Sequence, residues 1–199
     1  MGNCSLESDQ EESIAKIGRA RANSAPDLTS RSTDNVDQQK EIVDKHNALR
    51  RGVMPNATNM LRMEWSPEAA QNAKNWANEC TLSHSPPERR KTRDCGENLY
   101  MSSAPSSWSD AIQSWYNEVE DFKYGIGATR PMAVTGHYTQ VVWYKSYQIG
   151  CAIAFCPDRE YSYFYVCHYC PPYNDPGICQ LHCRVHYNLS VFTIRRKVQ

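Results

Sequence analysis

Six cysteines fall between residues 80 and 170, at Cys80, Cys95, Cys151, Cys156, Cys167 and Cys170. A chain of 199 residues has enough interior to fold without cross-links. Cysteines at this density therefore serve as disulfides and point to an oxidising compartment. Six thiols can pair in many ways, and sequence alone does not choose among them. Two other uses compete. Cys167-His168-Tyr169-Cys170 is a C-x-x-C, but a redox pair needs a strand-to-helix junction in a βαβ context; this one closes an aromatic run and meets Pro171-Pro172. Cys167, Cys170, Cys179 and Cys183 make a loose zinc-ribbon pattern, with a short central gap. Disulfides account for more of the cysteines and leave over Cys4, Cys179 and Cys183.

Helix and strand signals are mixed between the cysteines. Ile42, His46, Leu49 and Val53 recur on one face and predict a helix over 36–51, stopped at Gly52. His46 shares that apolar face and is expected in the core. Residues 60–65 read as a short strand. Ser66 can cap a second helix and Pro67 can open it, with Ala69, Ala73, Trp76 and Cys80 as its stripe. A third helix opens near Ser107 and carries Trp108, Ile112, Trp115, Val119 and Phe122. Between these two helices Arg89, Arg90, Lys91 and Arg93 alternate with Glu88 and Asp94, which reads as a solvated loop. From Ile149 the period shifts towards two, predicting strands over 149–156 and 161–169 joined by a turn at 157–160. Helices and strands without a βαβ repeat argue an α+β fold.

The chain ends carry different signals. Lys plus Arg and Asp plus Glu both number 22, so nothing in the balance recruits nucleic acid or an anionic membrane. No run approaches the roughly 18 apolar residues of a transmembrane helix. Residues 1–35 are polar and lack aromatics, so they are expected to be disordered and dispensable for folding. No secretory signal is visible there. Instead Met1-Gly2-Asn3-Cys4 opens a second possibility, myristoylation at Gly2 and palmitoylation at Cys4, although Leu6 stands where the pattern wants Ser or Thr. Membrane association through such lipids is the alternative location. Residues 21–26 look like a basophilic kinase site of the kind 14-3-3 proteins read. Asn56-Ala57-Thr58 and Asn188-Leu189-Ser190 make Asn56 and Asn188 glycosylation candidates, and Asn3-Cys4-Ser5 is a third sequon.

Four short motifs complete the pattern: HNALR (His46–Arg50), GENL (Gly96–Leu99), GHYTQVVW (Gly136–Trp143) and YVCHYCPPYN (Tyr165–Asn174). With the cysteines, they resemble the CAP superfamily, and within it the vertebrate cysteine-rich secretory proteins, over about 36–174. The resemblance implies a CAP domain over 36–174, built as a three-layer α-β-α sandwich around a mostly antiparallel sheet. It implies the pairs Cys80–Cys156, Cys95–Cys170 and Cys151–Cys167. It also implies a cleft formed by His84 in LSHS, Glu97 in GENL, Glu118 in SWYNE and His137 in GHYTQ. Tyr173 stands where the family usually has Gly, which puts the turn there in question. Residues 175–199 do not continue into the family's cysteine-dense module, so the channel regulation tied to that module is not expected. The functional implication is a secreted, monomeric binding or signalling protein of the venom, reproductive or innate-immune kind, partnered by an extracellular protein, a lipid or a sterol.

Three chemical uses of the cleft stand open. Two imidazoles can bind a divalent metal, with the carboxylates as ligands or as orienters. Zinc suits such an N/O set best, and copper also fits. Alternatively, Glu and His act as base and acid, which makes a metal-dependent hydrolase the second function to weigh. The third is a hydrogen-bonded polar cluster with no ligand. The sequence contains neither H-E-x-x-H nor G-x-S-x-G. Tyr138, Trp143 and Asn98 are expected in the core.

Overall fold

Local sequence sets each helix. In the computed structural model, which describes residues 28–90 and 95–173, a short helix α1 (Leu28–Arg31) leads into α2 (Val36–Arg51). The Asn35 side chain caps α2 by accepting from the Asp37 N–H, and Asp37 lies in the first turn, where the helix dipole favours an acid. α3 (Pro67–Ala77) begins where Ser66 Oγ accepts from the Ala69 N–H and Pro67 fills the first position. α4 (Trp108–Asn117) is capped by Ser107 in the same way. It stops at Asn117 rather than reaching Phe122, because Glu118–Asp121 tightens into a 3-10 turn.

The main sheet takes β1 (Glu64–Trp65), β2 (Gly96–Ser102), β5 (Gln148–Phe155) and β6 (Tyr163–Cys170) in the order β1-β5-β6-β2. β1 runs parallel to β5 and the other pairs are antiparallel. A separate two-stranded ribbon joins β3 (Phe122–Lys123) to β4 (Gly127–Ala128). Strand alternation sends two sets of side chains to opposite faces. On one face Leu99, Ala152, Ala154, Phe164 and Val166 meet Ala73, Trp76 and Ala77 of α3. On the other, Ile149, Tyr165 and Tyr169 share a core with Ile42 of α2 and Trp108, Ile112 and Trp115 of α4. These layers make the α-β-α sandwich. Gly150 lets α3 lie directly on β5, since a Cβ there would fall 2.0 Å from the Ala70 nitrogen.

Three disulfides staple the layers. Cys151–Cys167 joins register partners on β5 and β6. Cys80–Cys156 ties the chain after α3 to the end of β5, and Cys95–Cys170 ties the start of β2 to the end of β6. The C-x-x-C is therefore divided between two bridges and is neither a redox pair nor half of a zinc ribbon. Cys4, Cys179 and Cys183 lie outside the described residues, as do Gly2, Asn3, Asn188 and residues 21–26.

The HNALR motif is architectural. His46 is fully buried; its Nδ1 lies 2.8 Å from the Ile42 carbonyl and its Nε2 2.9 Å from the Tyr169 hydroxyl. Asn47 pins the Met63 backbone from both sides. Arg50, 1 % exposed, donates to the carbonyls of Val141, Trp143, Leu61 and Ser146 at 2.7–2.9 Å. Tyr138 and Trp143 are buried, as expected. Tyr173 is held where the motif has lost its Gly: its N–H donates to Gln140 Oε1 and its ring meets Trp143 edge-on.

One boundary moves. The polar segment expected to be disordered through residue 35 is structured from Leu28 on. Thr33 Oγ1 donates to the Cys151 carbonyl at 2.7 Å, Trp108 Nε1 donates to the Arg31 carbonyl, and Asp34 pairs with Lys74. The segment docks through hydrogen bonds, which composition does not reveal. Residues 1–27 lie outside the described residues. A chain beginning at Val36 should lose about 1–3 kcal/mol relative to one beginning at Leu28, visible as a thermal midpoint several degrees lower. Equal midpoints would mean that these bonds contribute nothing net.

Candidate functional site

The cleft begins with two loops and a helix end. After α3 the chain passes Cys80 at φ 50° and Leu82 at φ 54°, a left-handed backbone that non-glycine residues rarely adopt, and then presents His84. β2 carries Glu97. The 3-10 turn after α4 carries Glu118, and α5 (Gly136–Val141) carries His137 on its first turn. His84, Glu118 and His137 line one open cleft of about 590 Å³ with Trp115, Leu82 and Leu99. Glu97 lies beneath it, its side chain fully buried.

Each histidine is held by its own carboxylate. His84 Nδ1 is 2.7 Å from Glu97 Oε1, and His137 Nδ1 is 2.6 Å from Glu118 Oε1. An ionised carboxylate can only accept, so each Nδ1 carries a proton, and in the neutral imidazole each Nε2 then keeps its lone pair. The remaining carboxylate oxygens are already occupied. Glu97 Oε1 also accepts from the Ser85 N–H at 2.9 Å, and Oε2 accepts from Ser85 Oγ at 2.7 Å and His168 Nε2 at 2.9 Å. Glu118 Oε2 accepts the His137 and Tyr138 N–H groups at 2.9 and 3.0 Å. Glu118 thus caps α5 from outside the helix, a negative charge where the helix N-terminus wants one. Trp115 lies nearly parallel to the His137 ring, 13° between planes, and its indole N–H is spent on the Leu99 carbonyl.

These bonds set the carboxylate charges. Burial works against ionisation of Glu97, but bonds from His168, His84 and Ser85 outweigh it and hold the group well below the ordinary 4.5. Burial likewise opposes the charge on Glu118, but bonds from His137 and the Tyr138 N–H favour it and hold the pKa below its ordinary value. A carboxylate whose pKa falls on folding contributes stability that is complete above its unfolded value and is lost as pH drops through its folded value. Unfolding free energy should therefore decline on acidification below 4.5, and Glu97→Gln should flatten that decline. Denaturant titrations at a series of acid pH values would show it, and identical slopes for the two proteins would contradict it.

The structure brings together all four residues named from the sequence, with unequal positions: His84, His137 and Glu118 line the cleft, and Glu97 lies beneath it. Two members of the network were missed. Arg90 is not in a solvated loop; it donates to Ser85 Oγ, the Ser85 carbonyl and the Cys95 carbonyl, and stands 3.5 Å from Glu97. Lys91 and Arg93 lie outside the described residues. His168 is the other: in the sequence it stands only as the interior of a C-x-x-C, and its partner Glu97 is 71 residues away. Asn98 donates to the His137 carbonyl and reaches the Tyr169 hydroxyl, which links His46 to the cleft. Among the described residues no three His, Cys, Asp or Glu side chains converge as a ready metal cage, so a metal here would rest on two imidazole nitrogens and solvent. The glycosylation candidate Asn56 is exposed.

Known proteins share this arrangement of chain. The family described as CAP, the cysteine-rich secretory protein family, matches residues 43–169. Cysteine-rich secretory protein 2 of Homo sapiens is 59% identical over 152 residues, which cover 75% of this chain and 63% of that protein. The chain thus spans less than two thirds of that relative's length. Among solved structures, BmVAL-1 superposes with a TM-score of 0.60 at 30% identity, over 69% of this chain and 78% of that one. The structure of NaASP2 with Zn2+ superposes with a TM-score of 0.56 at 29% identity, over 67% and 78%. Among the described residues no helix is long and apolar enough to cross a membrane.

Proposed function

The chain belongs to the CAP, or cysteine-rich secretory protein, family, and from that premise we propose a secreted binding module whose cleft takes a divalent metal, zinc before others, on Nε2 of His84 and His137. The observation that carries this reading is the pair of Nδ1–carboxylate bonds, which leaves both outward nitrogens as acceptors. Imidazole with its second nitrogen anchored to a carboxylate is the usual protein setting for zinc. Glu97 and Glu118 act as orienters, because their oxygens are filled by other donors. NaASP2, a fold relative, has a structure with Zn2+. When bound, such a metal supplies a Lewis-acidic centre with open positions for a ligand oxygen. Leu82, Leu99 and Met101 on the adjoining wall suit the apolar part of that ligand, as a lipid, a sterol or a protein side chain would provide. Three disulfides and an exposed Asn56 sequon agree with an extracellular location.

Calorimetric titration of zinc into the full chain tests the reading. Saturable binding is expected, weakening as pH falls because a protonated imidazole has no lone pair to give. The double change His84→Ala and His137→Ala should abolish it and leave the disulfides intact. Unchanged affinity in the double variant would place the metal elsewhere, and no binding by the parent protein would leave the cluster as a structural network.

A further inference from the structure

We infer that His168 is a positioning residue for the cleft, fixing from the centre of the sheet the carboxylate that orients His84. The inference rests on the metal-binding reading for its consequence, though not for its geometry. The β2–β6 register sets Glu97 directly opposite His168. His168 is 2 % exposed and its Nε2 lies 2.9 Å from Glu97 Oε2, so it must donate its proton to that oxygen. The other oxygen, Oε1, receives His84 Nδ1. One carboxylate is therefore gripped by an imidazole on each side, one in the core and one at the cleft wall. Ser85 binds both oxygens, but it belongs to the same loop as His84 and moves with it. His168 sits on a central strand cross-linked at the neighbouring Cys167, so it anchors the carboxylate to the rigid part of the molecule. Without that donor the Glu97 carboxylate is tied chiefly to the loop that carries Ser85 and His84, and His84 loses a fixed reference for its Nε2 direction. Losses of about 10-fold in metal affinity are typical when such an outer partner is removed.

The contrast between His168→Phe, which fills the space without a donor, and His168→Gln, which keeps one, separates positioning from packing. Zinc affinity should fall about 10-fold in His168→Phe and recover to within about 3-fold of the parent in His168→Gln. Imidazole 15N shifts, read without metal, should show His84 as the Nδ1–H tautomer in the parent and in His168→Gln, and tautomer averaging in His168→Phe. Unchanged His84 shifts in a folded His168→Phe protein would overturn the inference. So would a parent protein whose His168 Nε2 carries no proton, a measurement that needs no variant and holds even if His168→Phe fails to fold. If the parent binds no zinc, the metal reading fails while the 15N data still decide the role of His168.

Discussion

Replacing Arg50 with methionine should lower the unfolding free energy by about 4 kcal/mol, among the largest single-residue effects available in this chain. Arg50 is 1 % exposed, and its two terminal nitrogens serve four backbone carbonyls that come from the segments around Leu61, Val141, Trp143 and Ser146. Burial pulls its pKa down to about 9, which leaves it charged at neutral pH. No carboxylate is needed, because carbonyl dipoles converge on the guanidinium and stand in for a counter-charge. Methionine matches much of the volume but takes the guanidinium donor from these buried carbonyls, of which the Trp143 carbonyl keeps the Ser146 N–H, and each group left without a donor costs about 1–3 kcal/mol before relaxation. Lysine keeps the charge but lacks the fork that reaches four acceptors, so it should recover only part of the loss. Thermal and denaturant unfolding of Arg50→Met and Arg50→Lys would check this. Losses below about 1 kcal/mol in both would show that the segments hold together without it.

The second large effect lies in the bridge between Cys80 and Cys156. The two cysteines are 76 residues apart, and a closed loop of that size removes enough unfolded-state entropy to contribute about 4 kcal/mol. Cys80→Ala with Cys156→Ala should therefore lower the thermal midpoint by about 8–16 °C, at the 2–4 °C per kcal/mol usual for a chain of this size. The Cys151–Cys167 bridge closes only 16 residues, worth about 3 kcal/mol by the same argument, but both its sulfurs are fully buried and their loss adds a packing cost. Peptide mapping without reduction should recover all three pairs. Free thiols at these positions in protein from its natural source would contradict both the stability argument and the secreted assignment.

What the sequence disclosed was local. The α2 helix, the cap at Ser66, the helix start near Ser107 and the core position of His46 follow from a 3.6-residue period and from a side chain that bonds its own helix end. The disulfide pairing and the four cleft residues came through family resemblance, not through spacing. Long-range partners were hidden. His168 meets Glu97 across 71 residues, only because two strands adopt one register. Arg90 looked like a member of a charged loop because its acceptors, two carbonyls and a hydroxyl, leave no mark in composition. α5 has six residues, too few to show a period, and its cap comes from Glu118 on another element. Residues 28–35 looked too polar to order, yet they dock by donating and accepting hydrogen bonds at the sheet and at α4.

The most direct test of the central claim is the position of zinc itself, by anomalous scattering from crystals of the full chain grown with the metal. The account predicts zinc within about 2.0–2.1 Å of Nε2 of both His84 and His137, with Glu97 and Glu118 still bonded to the Nδ1 atoms and outside the metal's first shell. Zinc bound through a carboxylate oxygen of Glu97 or Glu118, or seated on neither His84 nor His137, would contradict it.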